Sequence, residues 1–325
     1  MTGTMQAAVL QGPSEIRIDE VPVPQPAPGE VRVKVEGCGV CASNVEPWEG
    51  QPWSSWPGAP GGLGHEAWGV VDAVGQGVEM ALGTRVAMLS ERAFAGYDVA
   101  PVEKVVPLPP ELAGQPFPGE PIACAVNIFR RAQVEAGQWV AIIGIGFLGA
   151  ILTRLASEAG ARVIAISRRD ESLDLAKHYG AEVTIPMIDH YKIIGEVGQL
   201  TGGSFCPRVI EAVGKQWPLD LAGELIGFGG RLVIAGYHQD GPRQVNVQNW
   251  NWKGIDVVNA HERDPAVQMR GLREAIDLVA SGRLDPTRLY TGRYPLERLG
   301  EALAATRDKP GGFVKALVTM GDKEG

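Results

Sequence analysis

The chain has few cysteines, and this scarcity limits what they can do. Only four occur among 325 residues. Disulfide scaffolds are short and dense in cysteine, so a chain of this length with four does not belong to that class. The cysteines are therefore assigned to packing, metal binding or chemistry; they are Cys38, Cys41, Cys124 and Cys206.

The chain also lacks an excess of positive charge and a long apolar run. Lys and Arg number 30 against 38 Asp and Glu, a net charge of −8. Because nucleic acids and anionic membranes attract clustered cations, neither is expected as a partner. The longest apolar run, from Trp139 to Leu152, is too short to span a bilayer. The first residues show no secretion-signal pattern, so we expect a cytoplasmic protein that acts on a small molecule.

Two kinds of hydrophobic pattern follow one another along the chain, and its length suits two domains. Short alternating runs such as "EVRVKVEGCGV" predict an antiparallel, barrel-like β unit. From about residue 139, apolar strands such as "WVAIIG" alternate with helical segments, which predicts a doubly wound parallel sheet. The tail from Pro265 is too short for a core of its own. We therefore predict an α/β protein with a β-rich domain over 1–125 and 265–325 and a dinucleotide-binding domain over 126–264.

A glycine-rich turn joins the first strand of the predicted sheet to the next helix. Its spacing, G-x-G-x-x-G, is typical of dinucleotide-binding sites, where the glycines allow a tight turn and close approach of a pyrophosphate to the helix N-terminus. The alternative is a merely tight strand-to-helix turn. The predicted cofactor contacts are Gly144, Ile145, Gly146, Phe147, Leu148 and Gly149.

The end of the next strand indicates which dinucleotide binds. A carboxylate there would hold the ribose 2′-hydroxyl of NAD, but the strand ends in Ser167, Arg168 and Arg169. A hydroxyl followed by two guanidinium groups suits a 2′-phosphate, which favours NADP over NAD. The alternative is that both arginines are solvated and partly compensated by Asp170.

The stretch "GGLGHEAWGV" places His65 and Glu66 side by side in apolar surroundings. Burial of this pair without partners would be costly, so it is either solvated at a strand edge or held by further ligands. Cys41 follows a strand-like run, and thiolate, imidazole and carboxylate are the ligands of a catalytic zinc with one open position. A Cys38–Cys41 redox or zinc-ribbon pair is the alternative, although no second CxxC occurs.

Five motifs, in this order, resemble the zinc-dependent medium-chain alcohol and polyol dehydrogenase family. They are "VEGCGVCASN", "GLGHEAWGVVDAVGQGV", "EPIACAVN", "GIGFLG" and "GGRLVIAGY", and the similarity runs from Gln6 to Val318. The resemblance implies a GroES-like domain that carries the zinc, a Rossmann domain inserted in it, and an active-site cleft between them.

The resemblance also implies residue roles. Cys41, His65 and Glu66 match the family's zinc ligands, and Glu66 is the one that moves in and out of the metal's coordination in relatives. Glu120 matches the acidic ligand of polyol-dehydrogenase-like members; alternatively, it is a helix-start carboxylate stabilised by the helix dipole. Ser43 resembles the hydroxyl that takes the alcohol proton, with Glu46 as the next acceptor.

Cys124 matches a small residue that relatives pack near the nicotinamide ring. Ser43 alternatively only completes a turn, and Cys124 is alternatively a buried apolar side chain.

Three departures from the family pattern limit the analogy. The segment between Thr84 and Pro109 lacks the four cysteines of a structural zinc site, so at most one zinc per subunit is expected. Asn44 stands where relatives usually have Asp, which accepts a hydrogen bond from the ligand histidine, and an amide oxygen can accept it without charge. Asn127 stands where many polyol-type members have His.

The sequence thus predicts a zinc-dependent oxidoreductase that transfers hydride between NADP (NAD is possible) and a secondary alcohol, polyol or cyclic alcohol and its ketone. The rival interpretations are a zinc-free quinone or enone reductase of the same superfamily and a non-catalytic dinucleotide-binding protein. Relatives are usually homodimers or homotetramers, and the same is expected here. Two tryptophan-rich loops either line the substrate pocket or serve as loop anchors or interface residues; they contain Trp48, Trp53, Trp56, Trp250 and Trp252.

Overall fold

The computed structural model describes residues 3–52 and 54–321, so Trp53 of the first tryptophan-rich loop lies outside the described residues. Short strands dominate the first 107 residues, and the rest of the chain alternates strands with helices. In chain order, the strands are β1 (Thr4–Gly12), β2 (Glu15–Pro22), β3 (Glu30–Gly39), β4 (Ala67–Val74), β5 (Arg85–Met88), β6 (Tyr97–Pro101), β7 (Val105–Pro107), β8 (Trp139–Ile143), β9 (Arg162–Ser167), β10 (Val183–Pro186), β11 (Cys206–Glu211), β12 (Ile226–Ile234), β13 (Asp256–Asn259), β14 (Tyr290–Pro295) and β15 (Lys315–Thr319).

The helices are concentrated after residue 118. They are α1 (Val45–Glu49), α2 (Gly119–Ala132), α3 (Phe147–Glu158), α4 (Asp170–His178), α5 (His190–Leu200), α6 (Gln216–Leu225), α7 (Val247–Lys253), α8 (Pro265–Ala280) and α9 (Leu299–Asp308). Short 3₁₀ helices occupy Ala42–Asn44, Val102–Lys104, Pro110–Leu112, Thr287–Leu289 and Leu296–Arg298. Within the described ranges, no helix is both long and apolar enough to cross a membrane.

The chain divides into two compact units, and the first combines the segment up to Ala123 with the segment from Met269 onward. Its main sheet has the order β14-β15-β3-β4-β5-β7, and β6 also pairs with β3; β1 and β2 form a separate antiparallel pair. In β3, Val31, Val33 and Val35 are at most 2% exposed, because the period-two pattern places every second side chain on one face. That face packs against α9 residues such as Leu303 in one apolar core.

The second unit, Cys124–Gln268, contains a six-stranded parallel sheet. Its order is β10-β9-β8-β11-β12-β13, so the strand order reverses between β8 and β11. The central strands are rich in fully buried β-branched residues, for example Ile142, Ile164 and Val209, as expected for a parallel sheet covered on both faces. The carboxyl ends of β8 and β11 therefore flank the switch point where such sheets bind ligands.

The segment between β5 and β6 is organised by a carboxylate. Asp98 is 5% exposed, and its Oδ2 accepts hydrogen bonds from the backbone N–H groups of Glu91 (3.3 Å) and Arg92 (3.1 Å). Its Oδ1 accepts from the N–H of Val99 at 2.8 Å. Burial raises the pKa of Asp98 while these three donors oppose the rise. One side chain thus fixes the turn in the segment that the sequence showed to lack cysteine.

The predicted fold class is confirmed: a β-rich domain accompanies a domain built on a doubly wound parallel sheet. The expectation of an antiparallel first sheet needs one correction, because β14 and β15 pair in parallel. Sequence patterning did not single out β10 or α5, since β10 has only four residues and three of them are incompletely buried.

Candidate metal and dinucleotide sites

Three predicted metal ligands meet at one end of the β3–β4 pair. Cys41 caps the 3₁₀ helix that follows β3, and His65 and Glu66 directly precede β4. The antiparallel register pairs Cys38 with Ala67, which brings these two chain segments together. One ligand atom from each of Cys41, His65 and Glu66 lies within 4.8 Å of the others. These donor atoms are close enough together for one ion to be held by all three.

A backbone carbonyl orients the His65 ring. Nδ1 lies 3.0 Å from the carbonyl oxygen of Leu63, which can only accept, so Nδ1 carries the proton and Nε2 is left for a ligand. Burial lowers the pKa of His65, but a hydrogen bond to Cys41 and the charges of Cys41, Glu66 and Glu120 raise it to about 9. The ring therefore lies in a region of negative potential, which favours a cation.

Asn44 does not accept a hydrogen bond from His65, which corrects the role expected for it. Its Oδ1 accepts from the backbone N–H of Cys41 at 2.9 Å, and its Nδ2 donates to the Leu63 carbonyl at 2.9 Å. The side chain therefore holds both the backbone at Cys41 and the carbonyl that orients His65. Its amide can do both because it contains an acceptor and a donor, whereas an ionised carboxylate has no donor.

Glu66 forms a buried ion pair with a lysine from the far end of the chain. Its Oε1 lies 2.6 Å from Nζ of Lys315, and the side chains are 0% and 6% exposed. Burial lowers the pKa of Lys315, but the charges of Glu66, Cys41 and Glu120 outweigh this and raise it. Gly39 makes room for the carboxylate, because a Cβ there would lie 1.9 Å from Oε2.

The donor set fits a zinc ion. Oε2 of Glu66 is buried and has no hydrogen-bond partner within the described chain, so one oxygen of a fully buried carboxylate still lacks a partner. Cys41 and His65 add a thiolate donor and a ring nitrogen, the softer ligands that zinc favours. By contrast, Cys38 is fully buried in β3, and burial raises the pKa of its thiol well above the usual value, so it is poorly suited to redox exchange.

Glu120 lies in the first turn of α2, within the same unit. It is not a member of the three-residue cluster within 4.8 Å, but its charge acts on both His65 and Lys315. Its role as a ligand therefore stays a prediction.

The two predicted proton-transfer residues lie just after Cys41. Ser43 is in the 3₁₀ helix and is partly exposed, and Glu46 is in the first turn of α1. Glu46 accepts a long hydrogen bond, 3.4 Å, from Nε2 of Gln51. Within the described residues, Ser43 has no side-chain hydrogen bond, so its hydroxyl is available to another group.

The glycine-rich turn has the geometry of a dinucleotide site. Gly144 has a φ of +96°, and α3 begins directly after Gly146, which caps it. A Cβ at Gly149 would lie 1.9 Å from the carbonyl oxygen of Gly144, so only glycine allows this helix to pack so close to the turn. Ile145 lies in the turn, and Phe147 and Leu148 are the first two residues of α3. The backbone N–H groups at the start of a helix have no carbonyl partners within that helix.

The predicted 2′-phosphate residues lie at the carboxyl end of β9. Ser167 is the last residue of the strand and is 7% exposed; Arg168 is exposed, and Arg169 caps α4. Cys124 lies in α2 and is partly exposed. Cys206 is fully buried and burial raises the pKa of its thiol to about 12, so of the three uses open to the cysteines it fits packing.

The tryptophans do not share one environment. Trp48 is 4% exposed and belongs to the core of the first unit, where the Arg307 guanidinium lies 5.5 Å from its ring. Trp56 packs on that core, and Trp250 packs on the core of the second unit. Trp252 is 78% exposed. Trp48 thus acts as a loop anchor.

Two protein-family models match this chain, and together they cover most of each unit. The family model of the alcohol dehydrogenase GroES-like domain matches residues 27–110, and that of the zinc-binding dehydrogenase matches residues 148–281. The chain belongs to the zinc-type medium-chain dehydrogenase family. The resemblance stated from the sequence motifs is thereby confirmed.

Individual relatives of this medium-chain dehydrogenase are similar along nearly their whole length. Sorbitol dehydrogenase of Gallus gallus is 28% identical over 349 residues, which cover 94% of each chain. Among solved structures, a zinc-binding dehydrogenase of Sinorhizobium meliloti 1021 bound to NADP has a TM-score of 0.85 and 27% identity over 98% of this chain and 99% of that one. An Escherichia coli CFT073 alcohol dehydrogenase complexed with NADH has a TM-score of 0.86 and 25% identity, with coverage of 98% and 99%.

Sequence reasoning missed two contributors to the candidate metal site. Lys315 occurs in the apolar run "FVKALV", where a lone lysine suggests a solvated face. A single charged residue within an apolar run was the available signal. Leu63 contributes only its carbonyl, which every residue has, so its identity carried no signal.

Proposed function

We propose that this chain is a zinc-dependent oxidoreductase that transfers hydride between NADP and a secondary alcohol, polyol or cyclic alcohol and its ketone. The observation that carries the proposal is the cluster of Cys41, His65 and the buried Glu66, in which one carboxylate oxygen has no partner among the described residues. Its coarser part, an alcohol-type oxidoreductase, is supported by family membership and by relatives named alcohol and sorbitol dehydrogenase.

One zinc ion per subunit would be held by Cys41, His65 and Glu120, with Glu66 as a fourth ligand. When bound, zinc supplies Lewis acidity, which makes a hydroxyl group much more acidic than it is in water. Lys315 stabilises the negative charge of Glu66 whenever the carboxylate is not on the metal, because the pair is buried at 2.6 Å. Asn44 and the Leu63 carbonyl keep Cys41 and His65 in place.

Proton movement is assigned to the segment after Cys41. Ser43 would relay the substrate hydroxyl proton, taking it while giving up its own, since its hydroxyl has no competing side-chain partner within the described residues. Glu46 would receive that proton next and pass it to solvent. Its carboxylate is available for this, because among the described residues its only hydrogen-bond partner is Nε2 of Gln51, at the long distance of 3.4 Å. Ser43→Ala should lower kcat and change KM much less, since a proton-transfer residue acts mainly in the transition state.

The dinucleotide would bind at the turn from Gly144 to Gly149, with Cys124 beside the nicotinamide ring. The nicotinamide supplies the hydride chemistry. Ser167, Arg168 and Arg169 would hold the 2′-phosphate of NADP. Replacing Arg168 with Ala should raise KM for NADP about 10- to 100-fold, the range for loss of a charge-assisted hydrogen bond, and leave KM for NAD unchanged. Equal loss with both cofactors would contradict the assignment.

The decisive experiment measures zinc and turnover on the same preparations. Purified protein is assayed for metal by mass spectrometry, and for reduction of NADP and NAD by a panel of secondary alcohols and polyols. We expect about one zinc per chain and NADP-dependent alcohol oxidation. Cys41→Ser should lose both, whereas the control Cys206→Ala should keep both, because Cys206 is buried in the other unit.

A Cys41→Ser variant with unchanged turnover would contradict the proposal. Turnover of quinones or enones by a zinc-free protein would favour the zinc-free reductase instead, and dinucleotide binding with no turnover would favour a non-catalytic binding protein. The predicted homodimer or homotetramer and the cytoplasmic location are tested separately, by light scattering and by cell fractionation.

A further inference from the structure

A buried carboxylate ends the strand on one side of the switch point in the parallel sheet. Glu211 is the last residue of β11 and is 0% exposed. Its Oε1 accepts hydrogen bonds from the backbone N–H groups of Val213 (2.7 Å) and Gly214 (2.8 Å). Its Oε2 lies 3.0 Å from Nε2 of His238. One side chain thus joins the loop after β11 to the loop after β12.

An arginine completes this connection. Nε of Arg243 donates to Nδ1 of His238 at 2.8 Å, so the neutral ring carries its proton on Nε2 and donates it to Glu211. The guanidinium also donates to the Gly214 carbonyl at 3.0 Å and pairs with Asp240. We call Glu211, His238 and Arg243 the interloop brace.

The loop held by the brace is ordered mainly by polar contacts. From residue 235 to residue 246, which precedes α7, no side chain is buried, and Tyr237 is 59% exposed. Apolar packing therefore does not fix this loop. Its conformation depends on polar contacts. Besides the brace, Asp240 pairs with Lys215, and the backbone of Gln244 forms two hydrogen bonds with the side chain of Gln216, so that together they tie the loop to the segment after β11.

The braced loops adjoin the glycine-rich turn. A Cβ at Gly144 would lie 2.4 Å from Cγ2 of Val213, so the turn and the loop after β11 are in contact. In doubly wound sheets the ligand lies in the crevice at the switch point, here between β8 and β11. If the pyrophosphate lies at the start of α3 and the adenosine at the end of β9, the other half of a dinucleotide extends towards β11 and β12.

We propose that the interloop brace positions the nicotinamide half of the cofactor, an inference that rests on the proposed dinucleotide function. Its three side chains are positioning residues: they fix the loops after β11 and β12 in advance, so that binding does not have to order them. The adenosine half is held elsewhere and does not depend on the brace.

The test compares the whole cofactor with its adenosine half. Dissociation constants of NADP, NAD and ADP are measured by calorimetry for the unaltered protein, His238→Ala, His238→Gln and the control His190→Ala. We expect His238→Ala to weaken dinucleotide binding about 10- to 100-fold, as for loss of one charge-assisted hydrogen bond, and ADP binding less than about twofold. His238→Gln should restore most of the affinity, because its amide offers both a donor and an acceptor. His190→Ala, at the start of α5, should bind both ligands normally.

Two results would overturn the brace proposal: an equal loss of ADP and dinucleotide affinity in His238→Ala, or no loss of either. If His238→Ala fails to fold, His238→Gln and Arg243→Ala give the same comparison. An unaltered protein that binds neither NADP nor NAD would refute the proposed function itself, and the brace proposal with it.

Discussion

Replacing Lys315 with Met gives the sharpest test of the metal site as described. The substitution keeps the apolar stem and removes only the charge that faces Glu66. Because Glu66 is 0% exposed, it cannot recover its hydration, and its second oxygen already lacks a partner. The metal-free variant must therefore bury an uncompensated carboxylate or protonate it.

The expected loss of stability follows from the 2.6 Å distance between Nζ of Lys315 and Oε1 of Glu66. At an effective dielectric constant of 20, two charges at that distance attract by roughly 6 kcal/mol, against a desolvation cost of several kcal/mol for each ion. Removing one partner of such a pair typically costs about 3–5 kcal/mol. For a unit of this size, that lowers Tm by roughly 6 to 20 °C.

The assay is thermal unfolding of the chelated protein in a double-mutant cycle. Lys315→Met, Glu66→Gln and the double variant are compared, with Lys34→Met on the exposed face of β3 as the control. The double variant should recover most of the loss, because no charge then remains buried. Saturating zinc should also stabilise Lys315→Met more than the unaltered protein, since the carboxylate gains a cation. Strictly additive effects would refute the reasoning, because they would mean that the two side chains do not interact.

Three further substitutions test other parts of the structure. Gly149→Ala should destabilise by about 1–3 kcal/mol and abolish dinucleotide binding, since the methyl group would overlap the Gly144 carbonyl; normal affinity by calorimetry would contradict this. Asp98→Ala should cost about 1–3 kcal/mol in denaturant unfolding, because three backbone N–H groups lose their acceptor; an unchanged midpoint would mean that water replaces the carboxylate. Asn44→Ala should weaken zinc binding about 10- to 100-fold in chelator competition, since Cys41 loses its backbone support; undiminished affinity would show that Asn44 is dispensable.

The sequence was most informative where a local pattern determines local structure. Period-two runs predicted β3 and β4, and the change to βαβ patterning predicted the parallel sheet. The glycine spacing predicted the turn at Gly144, because its φ and the close approach of Gly149 leave no choice of residue. These features depend on neighbours within a few positions.

The sequence was least informative about partners that are distant along the chain. The Glu66–Lys315 pair depends on the register of β15 against β3, which no local pattern specifies. The role of Asn44 was wrong because the competing acceptor is the backbone carbonyl of Leu63. Trp48 was grouped with other tryptophans by proximity in sequence, although burial separates them.

The ion pair between Glu66 and Lys315 spans 249 positions of the chain, and this separation determines the order in which the site is assembled. During synthesis, β3 and β4 emerge long before β15, so the carboxylate has no cation until almost all of the described chain has been made. Until then, a divalent ion or a proton must neutralise it, or that end of the β3–β4 pair remains open to water. The Glu66–Lys315 pair can therefore form only after β15 has been synthesised.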